Sequence, residues 1–326
     1  MSGSNFFPKM KHIGLALMGL TLVFSGNGYA DICGSPRPNR LKVTPDVSSF
    51  GYSAHLSTMT DNDYVMMKQA GVGFMRFDMN WDYLEKTPGV YDFSSTDSAI
   101  GKMLANGIRP LAVLDYGNHN YTTGGLTTDA WRAHFAAFAG AAAAHYAYLG
   151  QNGGKGMMFE IWNEPNGSQF WVPYPGAAAL TPNGADYAAL LHAASVAIHT
   201  ADPNAAVIGP ALSMLVVTPW VTTFLSQKFL DHNKISQSIL ADMDAFSVHP
   251  YRFGKNAPPE SAIYSYNQLR IAMENASGPC QRQLPIVSSE WGYSATPTLP
   301  WALNADQQAA YQIRSWFVNL TLGVIP

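Results

Sequence analysis

The chain alternates short apolar runs with longer stretches in which apolar positions recur every three or four residues. The short runs start 23 to 49 residues apart, and none alternates strictly between apolar and polar positions. Such runs are typical of strands that are buried on both faces. We predict seven strands, at residues 51–56, 74–81, 110–116, 157–162, 206–212, 245–251 and 285–290.

The stretches between these runs have the start and stop signals of helices. Thr60 with Asp63 three residues later resembles a capping box, and Gly71 is placed to end that helix. Further helices are predicted at residues 97–106, 129–149, 185–200, 259–276 and 305–322, each closed by a glycine or a nearby proline. A repeating unit of strand, loop and helix predicts a parallel sheet covered by helices.

Seven such units favour one α/β architecture, the TIM (β/α)8 barrel, which typically has about 250 residues. An open doubly wound sheet is the alternative, but residues 51–55 offer no glycine-rich phosphate loop after the first strand. The chain stops at Pro326, where an eighth strand would begin. We therefore expect a barrel whose eighth strand is missing from this chain.

The first 30 residues have the layout of a signal peptide. Lys9 and Lys11 precede an apolar stretch that is too short to span a bilayer, and Gly28 with Ala30 forms a small-x-small cleavage site. We expect cleavage after Ala30, a secreted or periplasmic location, and no stable membrane insertion of the remaining barrel domain, residues 31–326. An uncleaved membrane anchor is the alternative.

Composition excludes several classes of partner. The chain has 19 Lys+Arg against 22 Asp+Glu, a net charge of −3, so no basic surface for nucleic acid is expected. No His-Glu-x-x-His motif occurs, and two cysteines cannot make a structural zinc site, so we expect no metal and no cofactor. Cys33 and Cys280 are expected to form a disulfide after export, with two unrelated thiols as the alternative. We expect a monomer.

Two glutamates flanked by tryptophan lie at the ends of predicted strands. Glu164 follows the fourth strand and Glu290 ends the seventh, three units further along the chain. Active sites of such barrels lie at the carboxyl ends of the strands, so the two side chains should face each other across the mouth. Glycoside hydrolysis needs such a pair, one carboxyl protonated to assist the leaving group and one ionised. A structural ion pair is the alternative for either glutamate alone.

The motifs around these residues resemble those of glycoside hydrolase clan A, and most closely the family 39-like or family 5-like (cellulase-type) retaining glycosidases. The similarity covers nearly the whole chain after residue 30 and is carried by Ile161-Trp-Asn-Glu-Pro-Asn166, His249-Pro-Tyr251 and Ser289-Glu-Trp291. It implies that Glu164 is the general acid/base and Glu290 the nucleophile. Retention predicts carboxyl groups about 5–5.5 Å apart, whereas inversion predicts about 6.5–9.5 Å.

The same resemblance implies roles for neighbouring residues. Asn163 corresponds to the residue that binds the sugar 2-hydroxyl, Arg76 to the arginine near the nucleophile, and Tyr251 to the tyrosine that donates to it. Arg76 is also placed to pair with Glu160, and the two roles are compatible. His249 is expected to line the same wall, with an ordinary core histidine as the alternative.

Aromatic residues near the strand ends suit a sugar ligand, because pyranose faces stack on aromatic rings. Trp171 and Trp291 are the preferred stacking residues, and Tyr116 and His119 follow the third strand. Since most tryptophans lie in protein cores, only about half of such residues are expected to touch substrate.

The sequence therefore predicts a retaining β-glycoside hydrolase that cleaves a polysaccharide or oligosaccharide by double displacement. The alternative is a glycan-binding barrel with impaired or no catalysis, because a missing eighth strand would remove one wall of the site. The identity of the glycan and the choice between endo and exo action depend on loop shapes that the sequence does not give.

Overall fold

Eight strands form one sheet in which every pair of neighbours runs parallel. A computed structural model describes residues 39–46, 50–254, 256–277 and 284–326, so the predicted signal peptide, Cys33 and Cys280 lie outside the described residues. The sheet follows chain order, with one separate hairpin, β6–β7, inserted after β5. The strands are β1 (Gly51–Ser53), β2 (Phe74–Asn80), β3 (Arg109–Asp115), β4 (Met158–Ile161), β5 (Ala206–Ser213), β6 (Lys228–Leu230), β7 (Ser236–Ser238), β8 (Ala245–His249), β9 (Ile286–Ser288) and β10 (Val324–Ile325).

Helices connect successive strands of the sheet, as the sequence pattern predicts. They are α1 (Asp61–Gln69), α2 (Trp81–Leu84), α3 (Ser94–Ala105), α4 (Asp129–Tyr146), α5 (Gly184–Ala201), α6 (Pro219–Leu225), α7 (Ala262–Ser277) and α8 (Ala305–Thr321). The capping box of α1 is present, with the Thr60 amide donating to Asp63 at 2.7 Å. The short α2 and α6 and the β6–β7 hairpin are not predicted from the sequence, because elements of three to seven residues show too few periods to be recognised.

The predicted barrel is confirmed, but the expectation of a missing eighth strand is corrected. Val324 and Ile325 pair in parallel with Ile286 and Val287 of β9, and both are buried. The backbone amide of Gly51 in β1 donates to the Pro326 carbonyl at 2.8 Å. A strand of two residues begins directly after Gly323, which is too short for a period of two to be read from sequence.

A buried apolar cluster fills the amino-terminal end of the barrel interior. Its strand members fall within the first three residues of their strands, apart from Ile325 at the end of β10: Phe74, Leu111, Met158, Ala206, Ile208, Ala245 and Val287. Side chains alternate between the two faces of a strand. The residues two positions after these cluster members therefore also point into the barrel, nearer its carboxyl end. That end holds polar side chains. In the described residues, no helix combines the length and apolarity needed to cross a membrane.

Candidate active site

The inward-facing layer above the apolar cluster starts with a buried ion pair. Arg76 lies two residues after Phe74 on β2, and Glu160 lies two residues after Met158 on β4. Arg76 Nε donates to Glu160 Oε2 at 2.6 Å, and both side chains are almost fully buried. Burial alone would raise the pKa of Glu160, but the charge and hydrogen bond of Arg76, together with His249 and a hydrogen bond from Ser247, outweigh burial and lower that pKa. The pair anchors the guanidinium in the centre of the barrel.

The rest of the Arg76 guanidinium faces the predicted catalytic residues. Its Nη1 donates to Glu290 Oε1 at 2.8 Å, and its Nη2 donates to Asn163 Oδ1 at 2.8 Å. Burial opposes its charge, but Glu160 and Glu290 together raise the pKa of Arg76 above its ordinary value. Arg76 therefore has both of the predicted contacts, one with Glu160 and one with the second glutamate.

Glu164 is presented by a tightly turned segment after β4. Trp162 and Glu164 have φ angles of 65° and 46°, in the left-handed region that non-glycine residues seldom occupy. Asn166 ties this segment to the end of β5, accepting from the Ser213 amide at 2.9 Å and donating to the Ser213 carbonyl at 3.2 Å. Such conformations persist only where surrounding contacts hold them, and they cluster at functional sites.

His249 at the end of β8 lies between the two glutamates. Its Nδ1 is 2.9 Å from Glu164 Oε1 and 3.5 Å from Glu290 Oε2, and the side chain is fully buried. One oxygen of each carboxyl group and a His249 nitrogen all lie within 4.8 Å of one another. The structure therefore brings the two glutamates together across the barrel, as their strand positions predict.

The two carboxyl groups have different hydrogen-bond donors. Glu290 accepts from Arg76 and also from Tyr251 Oη at 2.9 Å. Burial and the negative charge of Glu290 raise the pKa of Tyr251, so the phenol keeps its proton and remains a donor. Glu164 faces a histidine nitrogen, which can either donate or accept. A guanidinium and a phenol together hold the Glu290 carboxyl group in a fixed orientation.

A cavity of about 950 Å³ opens over the glutamate pair. Its lining includes seven of the predicted site residues: Arg76, Tyr116, Asn163, Glu164, Tyr251, Glu290 and Trp291. Asn163 Nδ2 donates to Tyr116 Oη at 3.2 Å, which orients the amide within the cavity wall. A cavity of this size, with a few convergent polar groups, suits a small molecule or part of a chain.

Two predicted stacking residues do not reach this cavity. Trp171 has no exposed surface and packs edge-on against Trp162 at 5.6 Å, in the aromatic core beneath the loop. His119 is exposed and does not belong to the cavity lining, and its Nδ1 lies 3.1 Å from Asp82 Oδ1. The expectation that both bind substrate is corrected: sequence proximity to a strand end does not fix the direction of a loop side chain.

Ser53 and Phe170 also line the cavity, although neither is predicted from the sequence. Ser53 ends β1 and pairs in register with Arg76, and its hydroxyl lies 3.5 Å from Arg76 Nη1. The rule that strand ends carry the site would have selected it. Phe170 stacks on Tyr116 with ring centroids 6.0 Å apart, a contact between two loops that leaves no local sequence signal.

The group formed by Glu164, His249 and Glu290 has a donor set that could in principle hold a metal ion. The guanidinium of Arg76 is already 2.8 Å from Glu290, however, and would repel a cation placed there. This donor set fits acid–base chemistry better than metal binding.

Comparison with known proteins gives relatives of the same kind. Residues 42–321 match the family model described as Cellulase (glycosyl hydrolase family 5). A β-xylosidase from Geobacillus stearothermophilus is 24% identical over 236 residues, covering 66% of this chain and 44% of the relative. The chain thus spans less than half the length of that relative.

Solved structures with the same fold include two glycoside hydrolases of family 39. One, from Bacteroides cellulosilyticus WH2, has a TM-score of 0.61 at 19% identity, covering 87% of this chain and 55% of that one. A β-xylosidase from Caulobacter crescentus has a TM-score of 0.59 at 22% identity, covering 85% and 60%. Both likenesses show the TIM-barrel fold. Since the family model matches most of the chain, this protein belongs to the cellulase family, glycosyl hydrolase family 5.

Proposed function

We propose that the protein is a retaining β-glycosidase that hydrolyses an O-glycosyl bond by double displacement. The observation that carries the proposal is the glutamate pair, whose facing oxygens lie within 4.8 Å of each other. Inverting enzymes need about 6.5–9.5 Å between the carboxyl groups to admit a water molecule, whereas retaining enzymes need about 5–5.5 Å. The spacing of the facing oxygens is closer to the retaining range than to the inverting range.

The asymmetry of the donors supports the assignment of roles. Glu290, which accepts from Arg76 and Tyr251, acts as the nucleophile. Glu164 can hold a proton next to His249 Nδ1, which lies 2.9 Å away, and acts as the general acid/base.

The reaction then proceeds in two balanced steps. Glu290 attacks the anomeric carbon while Glu164 transfers its proton to the departing glycosidic oxygen, leaving a covalent glycosyl-enzyme. Glu164, now ionised, takes a proton from water, and the resulting hydroxide displaces Glu290 with restoration of the starting configuration. Asn163, held by Arg76 and Tyr116, is placed to bind the sugar 2-hydroxyl.

The substrate class follows from the family and the cavity. The cellulase family description and the β-xylosidase relative make β-linked glucosyl and xylosyl chains the first candidates. The signal-peptide layout of residues 1–30 supports action outside the cytoplasm, where such chains are found. We propose that the protein works as an exported monomer on a poly- or oligosaccharide.

The experiment compares hydrolysis of p-nitrophenyl β-glucoside, β-xyloside and β-mannoside by the wild type and by Glu290→Gln. We expect the kcat of Glu290→Gln to fall at least about a thousandfold, because the variant lacks the nucleophile that attacks the anomeric carbon and displaces the leaving group. Glu274→Gln, an exposed glutamate on the outer helix α7, is the matched control and should retain full activity.

Trapping with a 2-fluoro-glycoside separates the roles of the two residues. Mass spectrometry of the trapped peptide should locate the sugar on Glu290. A label on Glu164 would contradict the assignment. If the protein turns over no β-glycoside and no β-glycan, the proposal fails in favour of a glycan-binding barrel.

A further inference from the structure

We propose that Tyr251, Phe253 and Trp301 form an aromatic strip that binds successive sugar rings of a β-linked chain beyond the glutamate pair. The inference rests on the proposed function and extends it, because it makes chain length a determinant of specificity. The strip begins at the nucleophile and runs outward over the loops that follow β8 and β9.

Ring contacts make the strip continuous with the catalytic centre. Tyr251 Oη lies 2.9 Å from Glu290 Oε2. The Tyr251 and Phe253 rings stack nearly parallel, with an interplanar angle of 3° and a centroid distance of 6.2 Å. Trp301 follows at 6.3 Å from Phe253, with its ring inclined by 67°. A ligand chain that occupies the site at Glu290 can therefore continue directly onto Phe253 and Trp301.

Phe253 and Trp301 are unusually exposed for residues of their size, at 55% and 45%. Both lie at the carboxyl end of the barrel, the end that carries the glutamate pair. Phe317, which is 62% exposed, lies instead near the end of the outer helix α8. Exposed aromatic surface continuous with a binding cavity marks a ligand contact, because leaving it in water costs free energy without a compensating gain.

The two loops that carry the strip are packed together and braced. Gly254, with a φ of 80°, lies so close to Trp301 that an added Cβ would be 3.6 Å from the Trp301 Cβ. The loop that carries Trp301 is closed by a hydrogen bond from the Leu303 amide to the Ser294 carbonyl at 2.8 Å. Ring positions fixed before binding reduce the entropy lost when a ligand binds.

A sugar chain suits this strip better than other ligands. Pyranose rings present apolar C–H faces for stacking and polar edges that stay hydrated, which matches flat, half-exposed rings. The geometry therefore points to a substrate with several linked units, of which one sits at the glutamate pair and others on the strip.

The test measures kcat/KM for cellohexaose and xylohexaose relative to kcat/KM for the corresponding p-nitrophenyl monoglycoside. Phe253→Ala, Trp301→Ala and the double variant should each lower this ratio, by about tenfold for each ring removed. Phe317→Ala, which removes a similarly exposed ring from α8, is the matched control and should leave the ratio unchanged. Using a ratio cancels any loss of folded protein.

Binding provides a readout that does not need turnover. In a Glu164→Gln background, isothermal titration with the better hexaose should show about tenfold weaker binding for each strip residue removed. An unchanged ratio and unchanged affinity would overturn the strip while leaving the proposed glycosidase intact. If the wild type turns over neither hexaose but affinity still falls when strip residues are removed, the proposed activity is refuted and the strip is supported.

Discussion

Asp115, at the end of β3, is a carboxylic acid that the fold buries completely. Among the residues that the structure describes, neither of its carboxyl oxygens has a hydrogen-bond partner. Burial first, and then the negative charge of Asp78, raises the pKa of Asp115 well above its ordinary value. The side chain is therefore protonated in the folded protein at pH values where it is ionised in the unfolded chain.

This difference gives the stability a defined pH dependence. Above pH ~4 the folded state holds one proton more at Asp115 than the unfolded state, so the free energy of unfolding falls as the pH rises. Asp115→Asn cannot titrate, and its stability relative to the wild type should rise by up to about 1.4 kcal/mol per pH unit between pH 5 and 7. Urea unfolding at three pH values measures this slope.

Asp92 offers a matched control for that titration. Its carboxyl group is exposed and accepts from the Ser94 amide, which lowers the pKa of Asp92, so it is ionised in both states above pH 5. The effect of Asp92→Asn should therefore not change between pH 5 and 7. A parallel, pH-independent result for Asp115→Asn would show that Asp115 is ionised in the native barrel.

At the residue scale, the sequence predicts the position of a side chain in the site where a strand fixes its direction. Arg76 lies on β2 and His249 ends β8, and both fall where alternation puts them. Trp171 and His119 lie in loops, where no period relates position to direction. No sequence pattern marks Asp115, because its raised pKa comes from burial without a hydrogen-bond partner, which only the folded structure shows.

At the scale of elements, the loops after β3 and β4 lie so close together at Gly117 that only glycine fits there. A Cβ added to Gly117 would lie 1.7 Å from the Pro173 carbonyl oxygen, so no larger residue fits without moving one loop. The neighbouring Tyr116 binds Asn163 and stacks on Phe170. The contact at Gly117 therefore sets the position of one wall of the cavity.

Gly117→Ala should force the two loops apart. We expect a loss of about 1–3 kcal/mol in the free energy of unfolding and a higher KM for the glycoside, since Tyr116 and Asn163 move with the loop. The control is Gly101→Ala in α3, where an added Cβ meets nothing within 4 Å. That change should stabilise the protein by roughly 0.5–1 kcal/mol. Equal stability of the two variants would contradict the tight contact.

Element prediction worked where caps and periods agreed. The α1 helix begins after Thr60, and α8 begins after Asn304, which forms a capping box with Gln307. The contact between Gly117 and Pro173 joins residues more than 50 positions apart, and no local pattern indicates it. The fold class was therefore accessible from sequence, while the fit of one loop against another was not.

At the scale of the whole molecule, the barrel closes between its first and last strands with few contacts. The Gly51 amide donates to the Pro326 carbonyl at 2.8 Å, and Phe50 stacks on Trp316 of α8 at a centroid distance of 4.7 Å. The active-site cavity reaches this seam, since Gly51, Trp316 and Pro326 belong to its lining. The contacts that close the barrel therefore also form part of the cavity wall.

The stacking of Phe50 on Trp316 should supply much of the stability of the contact between the first and last strands, because the last strand has only two residues. Trp316→Ala removes a half-buried indole and should cost about 1.5–2.5 kcal/mol, part of what a fully buried tryptophan costs. Hydrogen exchange of the Gly51 amide should accelerate more than exchange in β3, since the β1–β10 hydrogen bond opens first. Phe317→Ala, one residue further on and 62% exposed, should change neither quantity. If both amides accelerate equally in Trp316→Ala, opening is global, and the seam is not the weakest part of the barrel.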